Sequence, residues 1–139
     1  MAGFRLNFHL LIVIGEKSPF QNPAGRTITL ERRKEIAAII KKNKILLVED
    51  DPYGALRYRR ENVQPIKTLV PDNVVYVGTL SKGFAPGLRI GFCVAPEVIR
   101  KWLVIVKQGV DLHTSTFNQA LAVEYLSGEY LEWHLPKII

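Results

Sequence analysis

Gly78-Thr79-Leu80-Ser81-Lys82-Gly83-Phe84-Ala85-Pro86-Gly87-Leu88-Arg89-Ile90-Gly91 sets one lysine just beyond an apolar segment and one arginine seven residues after it. An amine that acts as a nucleophile near neutral pH has to be partly dehydrated or lie near other cations, so that it sheds its proton. Arg89 is spaced to help, and its planar guanidinium grips a phosphate bidentately, as a point charge does not. The pair points to an amine nucleophile beside an anion clamp. A cofactor carrying both a carbonyl and a phosphate satisfies the two at once.

Four short apolar runs surround this stretch: Leu10 to Ile14, Ile45 to Val48, Val74 to Val77 and Ile90 to Val94. They are rich in β-branched residues and lack polar alternation, so they read as strands covered on both faces. Between the first two lies Thr29 to Asn43, with Thr29 as N-cap, Glu31 early and Lys41, Lys42 and Lys44 late, an arrangement that suits a helix dipole. Strand, helix and strand over that length make a βαβ unit. Glu49 to Asn73 contains Pro52, Gly54, Pro65 and Pro71 and reads as loop with at most a short helical turn. Pro96 opens a helix whose Ile99, Leu103 and Val106, flanked by Val98, Trp102 and Ile105, predict extensive burial. A further helix is expected from Thr114 or Ser115, with Phe117, Leu121 and Tyr125 at four-residue spacing and Gly128 as its stop. Leu131 to Ile139 begins another amphipathic helix, and the expectation is that the chain is cut within it.

The 139 residues, 47% of them hydrophobic, are enough for one domain with a real core. The net charge of +6 is dispersed through Arg32-Arg33-Lys34, Lys41-Lys42, Arg57 to Arg60 and Arg100-Lys101. Aromatic residues do not alternate with these cations, so they read as solvated helix faces and no nucleic-acid partner is expected. Phe8 to Ile14 is far below the ~20 residues that cross a bilayer and is followed by Glu16 and Lys17, so no membrane association is expected. Cys93 is the only cysteine; it excludes an internal disulfide, suits a cytoplasmic setting and reads as a small core residue. His9, His113 and His134 have no ligand spacing, so no metal site is expected, and Gly83 to Gly91 lacks the GxxxxGK of a nucleotide loop.

In open α/β sheets, ligands bind beyond the carboxyl ends of the strands. Asn22-Pro23-Ala24-Gly25 follows the first apolar run, Asp50 the second, and Ser81-Lys82 the third. An amide, a carboxylate and an amine are thereby delivered to one edge, and pyridoxal phosphate is the commonest cofactor with the carbonyl and phosphate required.

Phe20-Gln21-Asn22-Pro23-Ala24-Gly25, Val48-Glu49-Asp50-Asp51-Pro52-Tyr53 and Thr79-Leu80-Ser81-Lys82 through Gly87-Leu88-Arg89-Ile90-Gly91 together resemble three successive signatures of the class I/II, fold type I, pyridoxal-phosphate aminotransferases, in the manner of the 2-aminoadipate, aromatic and multi-substrate group. The resemblance runs from about Phe20 to Ile139; residues 1–19 match poorly, and Ala24 stands where threonine is commoner. It implies an α/β fold for 1–139: part of the three-layer sandwich of the large domain, with a mostly parallel sheet and flanking helices. Only the second half of that domain is represented, without its N-terminal part or the small domain.

The resemblance also implies the roles. Lys82 is the Schiff-base lysine that later shuttles a proton, and Asp50 faces the pyridine nitrogen. Tyr53 and Asn22 hydrogen-bond the ring hydroxyl oxygen, and Thr79, Ser81 and Arg89 hold the phosphate. The implied activity transfers an amino group from an L-amino acid to a 2-oxo acid, in a homodimer when the enzyme is complete and weakly or not at all in this isolated chain. An alternative is the cofactor-binding sensor domain of an aminotransferase-like transcription regulator. Taken singly, Lys82 reads as a surface lysine, Asp50 as a turn residue beside Asp51, Asn22 as part of a turn, and Arg89 as an ion-pair partner. The three-residue step to Tyr53, a pattern of the family, selects Asp50 over Asp51.

Overall fold

The computed structural model describes residues 10–15, 28–54 and 64–138. Leu10–Gly15 (β1), Ile45–Asp50 (β2), Val74–Thr79 (β3) and Gly91–Val94 (β4) form a sheet in the order β1-β2-β3-β4. The β1–β2 and β2–β3 pairs are parallel, whereas β4 returns antiparallel to β3, pairing Thr79 with Gly91 and Val77 with Cys93. The parallel pairs follow from long crossovers, and the antiparallel pair follows from the short Leu80 to Ile90 connection.

Leu30–Asn43 (α1) is the crossover helix between β1 and β2. Thr29 caps it by accepting the Arg32 backbone N–H, and Lys44 ends it in the left-handed region at φ 50°. Its buried residues Arg33, Ala37 and Ile40 recur at helical spacing, and Ala37 and Ile40 pack with Ile45, Leu47 and Val74 of the sheet and with Ile66 of a short helical turn, Ile66–Leu69 (α2). β2 alternates strictly. Ile45, Leu47 and Glu49 are buried under α1 and α2, while Leu46, Val48 and Asp50 are half-buried on the opposite face. β4 is exposed along its length. Burial on both faces, expected of all four runs, therefore does not hold for β2 or β4.

Arg33 and Glu49 carry charge into this core, being 3% and 0% exposed. Glu49 accepts the Ile66 N–H on Oε1 and the Lys67 N–H on Oε2, both at 2.9 Å, and so caps the turn that opens α2. Arg33 lies 3.6 Å from Glu49 Oε1 and donates to the carbonyls of Ile28 and Gln64, at 3.2 Å each. The solvated role expected of Arg33 is thus wrong. Its position one turn before Ala37 puts it on the inner face, where Glu49 and two carbonyls replace water.

Glu97–Val110 (α3), Thr116–Ser127 (α4) and Tyr130–Ile138 (α5) follow β4. Ser115 caps α4, and Gly128 ends it, as its sequence indicates. α3 departs from expectation. None of its residues is buried, and Val104, Ile105 and Val106 are more than half exposed. Cys93 is likewise exposed, which corrects its reading as a core residue. Both corrections share one cause: no described element packs closely over that side of β4 and α3. In α4 the inward residues are Ala122 and Tyr125, whereas Phe117 is 69% exposed.

Burial pushes the Glu49 carboxyl above the usual carboxylate range, against the hydrogen bonds from Lys67 and Ile66 and the Arg33 charge. A carboxyl raised on folding binds its proton more tightly in the folded chain, so its contribution is fullest below the ordinary glutamate value and declines as pH rises through the folded value. The stability of wild type relative to Glu49→Gln should therefore fall in urea titrations as pH rises above the ordinary glutamate value of 4.5; a relative stability that climbs with pH would contradict this assignment. Arg33→Ala, which strands Glu49, should cost about 3–5 kcal/mol in the same assay.

Candidate functional site

The sheet delivers its polar residues at the carboxyl ends of β2 and β3. Asp50 is the last residue of β2 and pairs in register with Val77, two residues before Thr79 at the end of β3. Side chains alternate along a strand, so Asp50, Val77 and Thr79 share the sheet face opposite α1. Asp50 is half-buried there.

Beyond β3 the chain turns through Leu80 to Phe84, closed by Phe84 and Ala85 N–H bonds to the Leu80 carbonyl at 2.9 and 3.1 Å. Thr79 Oγ1 accepts the Ser81 N–H at 3.1 Å and lies 3.0 Å from Ser81 Oγ and 3.1 Å from the Ile90 carbonyl oxygen. The two hydroxyls thus sit side by side. The Leu80 N–H donates to the same Ile90 carbonyl at 3.0 Å, fixing the start of the lysine turn to the residue after Arg89. Arg89 itself has φ 52° and ends the 3-10 turn Pro86–Leu88. This left-handed residue reverses the chain into β4, and its side chain is exposed.

Lys82 is exposed, so the described residues do not supply the dehydration expected of it. Its Nζ stands over the Tyr53 ring, 5.6 Å from the centroid. A contact of that kind at an exposed site contributes about 0.5–1 kcal/mol and orients a flexible side chain. The structure therefore brings Lys82 and Tyr53 together, places Thr79 beside Ser81, and sets Asp50 on the Thr79 face. Arg89 joins them through its backbone neighbours, and Asn22 lies outside the described residues.

Three residues that hold this arrangement were not among the candidate site residues read from the sequence. Tyr125 of α4 donates its hydroxyl to the Gly83 carbonyl at 2.8 Å and stacks on Phe84 at 3.9 Å between centroids. His134 Nδ1 lies 2.8 Å from the same hydroxyl, and because that hydroxyl donates to Gly83, Nδ1 is left as the donor of the second bond. Tyr76 donates to Asp51 Oδ2 at 3.0 Å. The matching signal for Tyr125 was its place on the inward stripe of α4; for Tyr76 and His134 there was none. A cavity of about 310 Å³ is lined by Asp51, Tyr76, Thr79, Tyr125 and Leu131 among others. Neither it nor a cavity of about 490 Å³ between β4, α3 and α4 is lined by Lys82, Asp50 or Tyr53.

An exposed amine, a half-buried carboxylate, a phenol and paired hydroxyls gather at and just beyond adjacent strand ends. Among the described residues no cluster of His, Cys, Asp or Glu is set to hold a metal, and no helix is long and apolar enough to cross a membrane.

Residues 17–135 match the family of aminotransferases of class I and II. The aromatic-amino-acid aminotransferase 1 of Thermococcus litoralis is 51% identical over 122 residues, which take in 86% of this chain and 29% of that protein. An HTH-type transcriptional regulator of Bacillus subtilis is 39% identical over 84% of this chain and 24% of its own length. The fold superposes on the kynurenine aminotransferase of Pyrococcus horikoshii, solved in complex with PMP, with a TM-score of 0.84 and 43% identity, covering 91% of this chain and 31% of that one. The chain thus spans less than a third of the length of these relatives.

Thr79→Val keeps the shape of the side chain and removes its hydroxyl. It should lower stability by about 1 kcal/mol and weaken hydrogen-exchange protection at Leu80 and Ser81; protection equal to wild type would show that the hydroxyl pair does not hold the turn.

Proposed function

The chain belongs to the aminotransferase class I and II family, and on that premise we propose that it is the cofactor-anchoring segment of a pyridoxal-phosphate-dependent aminotransferase. The complete protein, in this proposal, is a cytoplasmic homodimer that moves an amino group from an L-amino acid to a 2-oxo acid. The observation that carries the reading is the Lys82 amine over the Tyr53 ring, 5.6 Å from its centroid. The donor set at the ends of β2 and β3 fits the cofactor. Pyridoxal phosphate, when bound, supplies an electron sink for charge left on the substrate carbon.

In this proposal Lys82 is the amine that attaches the cofactor and later carries a proton to and from the substrate carbon. Asp50 holds a proton on the pyridine nitrogen by opposing it with negative charge, and its half-burial strengthens that attraction. Tyr53 and Asn22 donate to the ring hydroxyl oxygen. Thr79, Ser81 and Arg89 hold the phosphate; the hydroxyls are already adjacent, and the guanidinium offers a fork. Each role puts a charge or donor where its complement develops.

The chain alone should turn over amino acids feebly. Correct orientation of reactants is worth about 7–11 kcal/mol of a barrier, and Lys82 is exposed here. A second reading, that this chain belongs to the cofactor-binding sensor domain of a transcription regulator and does not need to transaminate, is favoured by the likeness to the HTH-type regulator of Bacillus subtilis. Both readings use Lys82, and they part only at turnover by the complete protein.

Titration of the chain with pyridoxal phosphate should give a visible absorbance band that Lys82→Ala abolishes. Borohydride reduction should leave the cofactor on Lys82 by mass analysis. Equal labelling of both proteins, or none, would overturn the assignment.

A further inference from the structure

We propose that Tyr76, acting through Asp51, is a positioning residue that holds Tyr53 over the Lys82 amine. The inference takes from the aminotransferase reading only what Lys82 and Tyr53 do; the positioning itself stands on geometry.

Asp51 is fixed to β3 at two points. Its N–H donates to the Val77 carbonyl at 2.8 Å, and its carboxylate oxygen Oδ2 accepts the Tyr76 hydroxyl at 3.0 Å. Pro52 then locks one backbone dihedral, so Tyr53 is joined to this double anchor by a single stiff residue. On the far side of the turn, a Cβ built on Gly54 would overlap the Asp51 carboxylate. The carboxylate is therefore lodged between the Tyr76 hydroxyl and the Gly54 backbone, and the absence of a side chain at Gly54 is what admits it.

β3 continues past Tyr76 and Val77 through Thr79 directly into the lysine turn. One strand consequently carries both the anchor of the Tyr53 turn and Lys82, which makes the Tyr53 to Lys82 contact a consequence of Tyr76 rather than of two independent loops. Tyr76 is itself held. Its ring lies 6.3 Å from that of Phe92 on β4, and Phe92 crosses β3 where Gly78 leaves room, since a Cβ there would run into its ring. Burial first, then the negative charge of Asp51 and the hydrogen bond to it, push the Tyr76 phenol far above its ordinary value, so the hydroxyl stays a donor.

The test is made on the full chain without cofactor, by NMR with lysine labelled at Cε. Wild type should show a contact between the Lys82 ε-methylene and the Tyr53 ring protons, with an upfield methylene shift, both removed by Tyr53→Leu. Tyr76→Phe keeps the ring against Phe92 and removes the hydroxyl, and should lose both signals while Ile66 and Val74 keep their amide positions. Asp51→Asn retains an acceptor and should keep them. Should Tyr76→Phe fail to fold, Gly54→Ala displaces the Asp51 carboxylate with Tyr76 intact and should give the same loss.

Signals that survive Tyr76→Phe, or survive Gly54→Ala, overturn the proposal. The cofactor reading is separated by borohydride capture of pyridoxal phosphate, which Tyr76→Phe should slow several-fold at Lys82 without abolishing it. Absence of capture in wild type, with the NMR losses as expected, would sink the cofactor reading and leave the positioning intact.

Discussion

Glu49 is the residue on which the rest of the described fold depends. It is fully buried, and its two oxygens are taken by the backbone amides of Ile66 and Lys67, with Arg33 of α1 alongside. A charge in that position is tolerable only with all of these partners in place, because the low-dielectric interior penalises a lone ion severely. The arrangement therefore admits one relative placement of α1, β2 and α2. It also decides which way β2 faces: with Glu49 turned under the helices, strand alternation sends Asp50 to the opposite side.

From that constraint the site follows with few additional parts. β2 and β3 run parallel, so their carboxyl ends emerge together and present Asp50 and Thr79 on one face. The Thr79 hydroxyl links Ser81 to the Ile90 carbonyl, which closes the lysine turn against the entry to β4. Tyr125 braces the same turn from α4 through Gly83 and Phe84. The amine is thus held by its backbone, and its side chain is oriented by the Tyr53 ring.

The opposite side of the structure is far less finished. α3 presents a broad apolar surface, and β4 beside it is open on both faces. Exposed apolar area of this extent in a folded protein marks a surface built for contact. The relatives are more than three times as long as the part matched here.

The four strands, the capped helix from Thr29 and the helix ended by Gly128 could all be read from the chain, because periodicity and capping are local properties encoded within a few residues. The position of Lys82, Asp50 and Ser81 just after apolar runs was legible for the same reason, as was the order of the motifs that carry Tyr53, Thr79 and Arg89. Burial was not legible. Arg33 looked like its neighbours Arg32 and Lys34, Cys93 and α3 looked like core, and Tyr76 looked like one more strand residue; which of them meets a partner depends on elements distant along the chain. The sequence by itself determined the elements and the chemistry at their ends. Only the tertiary structure decided which charge would be buried, which apolar face would stay open and which tyrosine would brace the Tyr53 turn, because burial is a property of two surfaces and the local pattern describes only one of them.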